Sequence, residues 1–250
     1  MSVDITHMVI SFLAGIAAGF MAAVTGGAGI LSIPVLIFLG LTANSAIATN
    51  ALATMGVIVS SLPKYYRAKK VRLATGLKLT PLAIIGGLIG AKALVRTDAG
   101  ALETVVGILL FMMIPIILLN PEKGLKVVKE NKDTVAFGYL IYFVIMVYGG
   151  FLGAGAGAFA MYALIFFFGM TYLQAKATIS VPGLFLTITT FLVFLSHGLV
   201  DFKLGIPMTI GTFIGGAWGA QAALEKGDKW VRLLFVIVVI LSAVKLLFFR

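Results

Sequence analysis

Two glycine clusters hold the groups in this chain best suited to chemistry. One is Thr25-Gly26-Gly27-Ala28-Gly29; the other comprises Gly149, Gly150, Gly153, Gly155 and Gly157. Each interrupts a long apolar run. Glycine lets the backbone turn and leaves amide groups uncovered. A helix that restarts after such a break presents unpaired N–H groups and the positive end of its dipole, which suits an oxyanion. The candidate backbone ligands are therefore Gly26, Gly27 and Gly29 on one side and Gly153, Gly155 and Gly157 on the other. Thr25, Thr49, Asn50, Thr178 and Ser180 could add side-chain hydrogen bonds, and Lys176 a positive charge.

Each of these has a plainer reading. Ser and Thr in apolar helices often bond back to their own backbone or pack against a neighbour. An amide deep in a span is costly without a partner, which makes Asn50 the strongest of the polar candidates. Lys176 falls within about a turn of an expected span end, where snorkelling toward water is its default and anion attraction the alternative. Lys92 reads as a snorkelling residue too. Scattered glycines such as Gly76 and Gly107 read as close-packing positions rather than as a site.

Other chemistries find no residues. His7 and His197 are not at metal-ligand spacing, cysteine is absent, and no HExxH or nucleophile motif occurs. All nine acidic residues fall in expected loops or near span ends, so no carboxylate pair or midplane proton relay is placed. No enzyme activity, cofactor or metal is expected.

The elements that must position the candidates are membrane spans. The 250 residues are 61% hydrophobic and only 11% charged, with a mean hydropathy of +1.13, whereas a soluble domain is about half apolar and about a quarter charged. The formal net charge of +10 is explained by basic loops beside apolar spans and does not call for nucleic acid. No basic residue precedes the first apolar run, so that segment is expected to be retained rather than cleaved as a signal peptide. Thr75 to Val95 is a 21-residue run, roughly 31 Å as a helix, matching a hydrocarbon core of about 30 Å. Asn44 to Leu62, Leu102 to Leu119, Tyr172 to Leu195, Leu204 to Leu224 and Val231 to Phe249 qualify similarly. Met8 to Leu41 and Ala136 to Gly169 are instead broken by the glycine clusters into pairs with a short second member. Interrupted short segments at matching places in two halves point to a transporter's binding site, because unwound backbone is tolerated only where it lines a cavity.

The halves are related. A shift of 129 residues lays Val71 to Leu94 on Val200 to Ala223, pairing Gly76 with Gly205, Gly86-Gly87 with Gly215-Gly216 and Gly90-Ala91 with Gly219-Ala220. The same shift pairs Thr42 with Thr171, Thr49 with Thr178 and Gly26 with Gly155. Charge suggests their orientation. The loop with Lys64, Arg67, Lys69, Lys70 and Arg72 has a partner loop carrying only Lys203. Arg96, alone in its loop, is matched by Lys226, Lys229 and Arg232. Opposite biases imply opposite membrane sides. The expectation is an all-α polytopic protein of two inverted repeats, residues 1–119 and 136–250, joined by a cytoplasmic linker, 120–135, with both chain ends outside. Each repeat has about five helical elements and opens on a broken pair, which allows eight to ten crossings.

TGGAGILSIPVLIFLGL (Thr25 to Leu41), AIATNAL (Ala46 to Leu52) and IGGLIGA (Ile84 to Ala91), followed by GAGAGAFAMYALIFFFGMT (Gly153 to Thr171), AKATIS (Ala175 to Ser180), LVDF (Leu199 to Phe202) and IGGAWGA (Ile214 to Ala220), together resemble the TauE/SafE family of sulfite exporter-like permeases. The resemblance runs nearly end to end and departs from the usual pattern at Lys176 and Ile179. It implies a plasma-membrane permease for sulfite, an organosulfonate or a related sulfur-containing anion, working as an exporter. A passive anion or small-solute channel is the alternative. The expected partners are a small anionic substrate and the lipid bilayer, with no nucleic acid; a homodimer is left open.

Overall fold

A computed structural model describes residues 4–27, 29–96, 124–125 and 132–248. Eight helices are present among them: α1 (Ile5–Thr25), α2 (Gly29–Phe38), α3 (Ala43–Arg67), α4 (Leu73–Arg96), α5 (Lys132–Phe151), α6 (Ala156–Phe168), α7 (Tyr172–Ser196) and α8 (Phe202–Phe248). No strand occurs among the described residues. The expected Leu102–Leu119 span and most of the linker lie outside the described residues.

Helices α1, α3, α4 and α7 are each long and apolar enough to cross a membrane. Their outward faces are apolar, as at Ile85 and Ile89 on α4 and Leu192 on α7, which is what contact with lipid tails requires. Helix α8 runs for 47 residues but bends at Gly227 (φ 74°, ψ −172°), between the two spans that hydropathy separates. Both broken pairs form where the glycines fall: α1 ends at Gly26 in a left-handed conformation (φ 82°), and α6 starts from Gly155 (φ 77°). Helix α2 has 10 residues, about 15 Å, or half a hydrocarbon core. It is the short returning arm of a hairpin.

Matching residues start matching helices. Thr42 Oγ1 accepts from Ser45 N at 3.3 Å to cap α3. Thr171 Oγ1 accepts from Gln174 N at 3.2 Å to cap α7, while Gln174 Oε1 accepts from Thr171 N at 3.4 Å. Such caps satisfy amides that a helix leaves unpaired. Helix α5 begins at Lys132, within the stretch expected as linker.

Packing exchanges partners between the halves. Helix α1 lies along α8, and its counterpart α5 lies along α4; α3 also packs on α8, and α7 on α4. The glycine-rich runs Ile84–Ala91 and Ile214–Ala220 make these seams. A Cβ at Gly90 would overlap the Val147 carbonyl of α5, and one at Gly215 the Ile16 carbonyl of α1. Gly76 is a packing position as expected, since a Cβ there would come within 3.1 Å of Val181 Cβ. Helices α3 and α7 are antiparallel. Ser45 Oγ at the start of α3 donates to Leu199 O just beyond the end of α7, at 2.8 Å. Arg72 N, just beyond the end of α3, donates to Thr178 Oγ1 near the start of α7, at 3.0 Å.

Candidate functional site

The two breaks meet backbone to backbone. A Cβ on Gly26 would lie 2.7 Å from Gly157 C, and a Cβ on Gly157 would overlap the Gly26 carbonyl. Beside this contact lies a cavity of about 110 Å³, bounded by both hairpins and by α3 and α7. Gly26, Gly29, Gly153 and Gly157 line it, as do Asn50 on α3 and Lys176 and Ser180 on α7. The starts of α2 and α6 both face this space, so two helix N-termini bring their positive ends to it.

The remaining candidates stand apart. Thr25 Oγ1 donates to Met21 O at 2.9 Å, bonding back within its own helix. Gly27 is buried and Gly155 caps α6, and neither reaches the cavity wall. Thr178 holds the start of α4, as given above. Thr49 Oγ1 accepts from Asp201 N at 3.0 Å and so holds the start of α8. These two threonines, equivalent under the 129-residue shift, tie each half to the other; their hydroxyls are occupied in joints rather than turned to the cavity.

Lys176 does not snorkel. It is only 5% exposed although it sits about one turn into α7. That first turn is covered: Tyr172 N donates to Gly124 O in the linker at 2.8 Å, and Leu173 N to Asp228 Oδ1 at the α8 bend at 2.7 Å. The side chain lines the cavity. No hydrogen bond or ion pair reaches its ammonium among the described residues. No described acidic residue lines the cavity either. Its net electrostatic character, among the described lining residues, is one positive charge plus two helix N-termini.

Several lining residues escaped the sequence reading. Thr54, Thr187 and Thr190 face the cavity, with hydroxyls bonded to Asn50 O (2.8 Å), Gly183 O (2.7 Å) and Thr187 O (3.1 Å) respectively. The signal was there in the spacing. Stepping from Lys176 by four and three residues reaches Ser180, Gly183, Thr187, Thr190 and Phe194, one stripe along a helix and all on the cavity wall. Ser32 was missed as well; it donates to Asn50 Oδ1 from α2.

An all-helical bundle with lipid-facing flanks, in which two broken helices converge on an internal cavity, is the build of a membrane transporter. The chain belongs to the sulfite exporter TauE/SafE family, whose profile matches residues 11–246. It is similar to the probable membrane transporter protein YfcA of Escherichia coli K12, 29% identical over 237 residues covering 95% of this chain and 88% of the relative. A probable membrane transporter protein of Haemophilus influenzae Rd is 26% identical over 248 residues, covering 99% and 97%. YunE of Bacillus subtilis, likewise a probable membrane transporter protein, is 26% identical over 269 residues, covering 96% and 97%. No solved structure matches the chain. This is a multi-pass membrane transporter.

Proposed function

We propose that the chain is a carrier of a small sulfur-containing oxyanion, such as sulfite or an organosulfonate, which it exports across the plasma membrane through the cavity between the hairpins. The observation that carries this reading is Lys176. A buried ammonium without a protein counter-ion among the described residues is expensive, and an anion entering the cavity would supply the missing partner. The two helix N-termini favour the same sign of charge. The cavity volume of about 110 Å³ corresponds to several waters, given roughly 10–15 Å³ of such space per water, and so suits a solute of a few heavy atoms. The family's description, sulfite exporter, supplies the choice of sulfur chemistry.

The mechanism follows from the same parts. The antiparallel α3 and α7, and the exchange of partners between α1–α8 and α5–α4, support two inverted repeats, 1–119 and 136–250, rocking about the cavity. The loop from Lys64 to Arg72 and the linker then face the cytoplasm by their basic character. An anion leaving an inside-negative cell gains roughly 2.3 kcal/mol per charge per 100 mV, so export needs no coupling ion. The test is a flux screen of sulfite, thiosulfate, methanesulfonate and acetate on purified protein in liposomes. Saturable flux with counterflow of a sulfur anion supports the proposal. Non-saturating flux makes the protein a channel, and no flux of any of these anions overturns the reading.

A further inference from the structure

Asn50 and Lys176 occupy different repeat positions. The 129-residue shift places Asn50 on Ile179 and Lys176 on Ile47, and all four line the cavity. Each half therefore contributes one polar group and one isoleucine, in exchanged order. Asn50 stands about two turns from the start of α3 and Lys176 about one turn from the start of α7. Because these helices are antiparallel, the two groups approach the cavity from opposite membrane sides.

The chemistry at the Asn50 end depends on which way its amide faces. A carboxamide carries an acceptor oxygen and a donor NH2, and only the second attracts an anion. Ser32, fully buried on α2, donates its hydroxyl to Asn50 Oδ1. That leaves Nδ2 toward Gly153, where a Cβ would stand 3.8 Å from it. No partner for Nδ2 occurs among the described residues. Gly153 keeps the space in front of the amide open, and its left-handed backbone (φ 73°) disfavours any side chain there.

We infer that Ser32 is a positioning residue: its hydroxyl, donating to Oδ1, holds the Asn50 side chain against α2 with Nδ2 toward the cavity, making a second anion station at the end of the cavity remote from Lys176. This rests on the anion reading above. The short arm α2 thereby has a defined task, since it brings Ser32 from the hairpin to α3. Without the hydroxyl the amide is free to turn and present its oxygen, which repels the same solute.

The test measures initial rates of sulfite and methanesulfonate uptake into liposomes against concentration. Ser32→Ala is expected to raise KM on the order of tenfold, the scale of one charge-assisted hydrogen bond, with kcat within about twofold, and Ser32→Thr to restore it. Asn50→Asp keeps the shape and still accepts from Ser32, but points a carboxylate at the cavity; uptake should fall by about a hundredfold or more. Thermal midpoints in detergent show whether each variant is folded, and either folded variant alone decides the matter. An unchanged KM in Ser32→Ala, or Asn50→Asp working like the wild type, overturns the assignment. A wild type that carries neither anion refutes the proposed function instead, so the two failures are distinct.

Discussion

Replacing Lys176 by methionine separates a functional lysine from a structural one, because the two cases predict opposite signs. Methionine keeps a long unbranched stem and removes the charge. The residue is 5% exposed and its ammonium has no partner among the described residues, and taking a charge out of water without a partner is costly, so an apolar group that packs in its place is stabilising. Lys176→Met should therefore raise the thermal midpoint in detergent. Transport should move the other way. A hydrogen bond to a charged group contributes about 1.5–3 kcal/mol, equivalent to roughly 10- to 140-fold in half-saturation for sulfite at 1.4 kcal/mol per tenfold. Saturating sulfite should also raise the midpoint of the wild type by mass action and leave that of the variant unmoved. Both assays use one purified preparation. A variant that melts lower than the wild type while transporting normally would refute the reasoning, since the lysine would then be paired within the protein and idle in transport.

Gly157→Ala, whose Cβ would overlap the Gly26 carbonyl, should lose about 1–3 kcal/mol by overpacking and slow transport. Gly26→Ala adds a left-handed backbone (φ 82°) and should lose about 1–2 kcal/mol more, both read from unfolding in detergent. Thr49→Val and Thr178→Val remove joints between the halves, so each should lower stability by about 1–3 kcal/mol while leaving the sulfite half-saturation unchanged; a raised half-saturation with unchanged stability would return these threonines to the site. Because the chain has no cysteine, Arg67→Cys and Gly198→Cys can be labelled singly in intact cells with an impermeant reagent. Gly198→Cys should react from outside and Arg67→Cys only after permeabilisation, whereas labelling of both from one side removes the inverted repeat.

What the sequence made legible were features with local causes. The breaks at Thr25–Gly29 and at Gly149–Gly157 follow from glycine and hydropathy, and the caps at Thr42 and Thr171 from short-range hydrogen bonding. The cavity wall was half visible: Gly26, Asn50 and Ser180, singled out by residue type, line it. What could not be read depended on distant partners. Lys176 is buried although it stands near a span end, where Gly124 and Asp228 accept from amides in the first turn of α7. The span-end rule assumes an uncovered helix end. Thr49 and Thr178 became joints because the start of a helix from the other half lies against each of them, and Ser32 matters through a bond to a residue 18 positions away.

The measurement that bears most directly on the central claim is sulfite flux in liposomes with the membrane potential clamped by potassium and valinomycin, with and without a proton gradient. None of the described acidic residues lines the cavity, so no carboxylate is placed there to carry a proton with the anion. Flux of the wild type should saturate, follow the clamped potential in the direction that moves negative charge toward the positive side, ignore the proton gradient, and fall at least about tenfold in Lys176→Met. Flux that follows the proton gradient and ignores the potential, or that survives intact in Lys176→Met, would contradict the account.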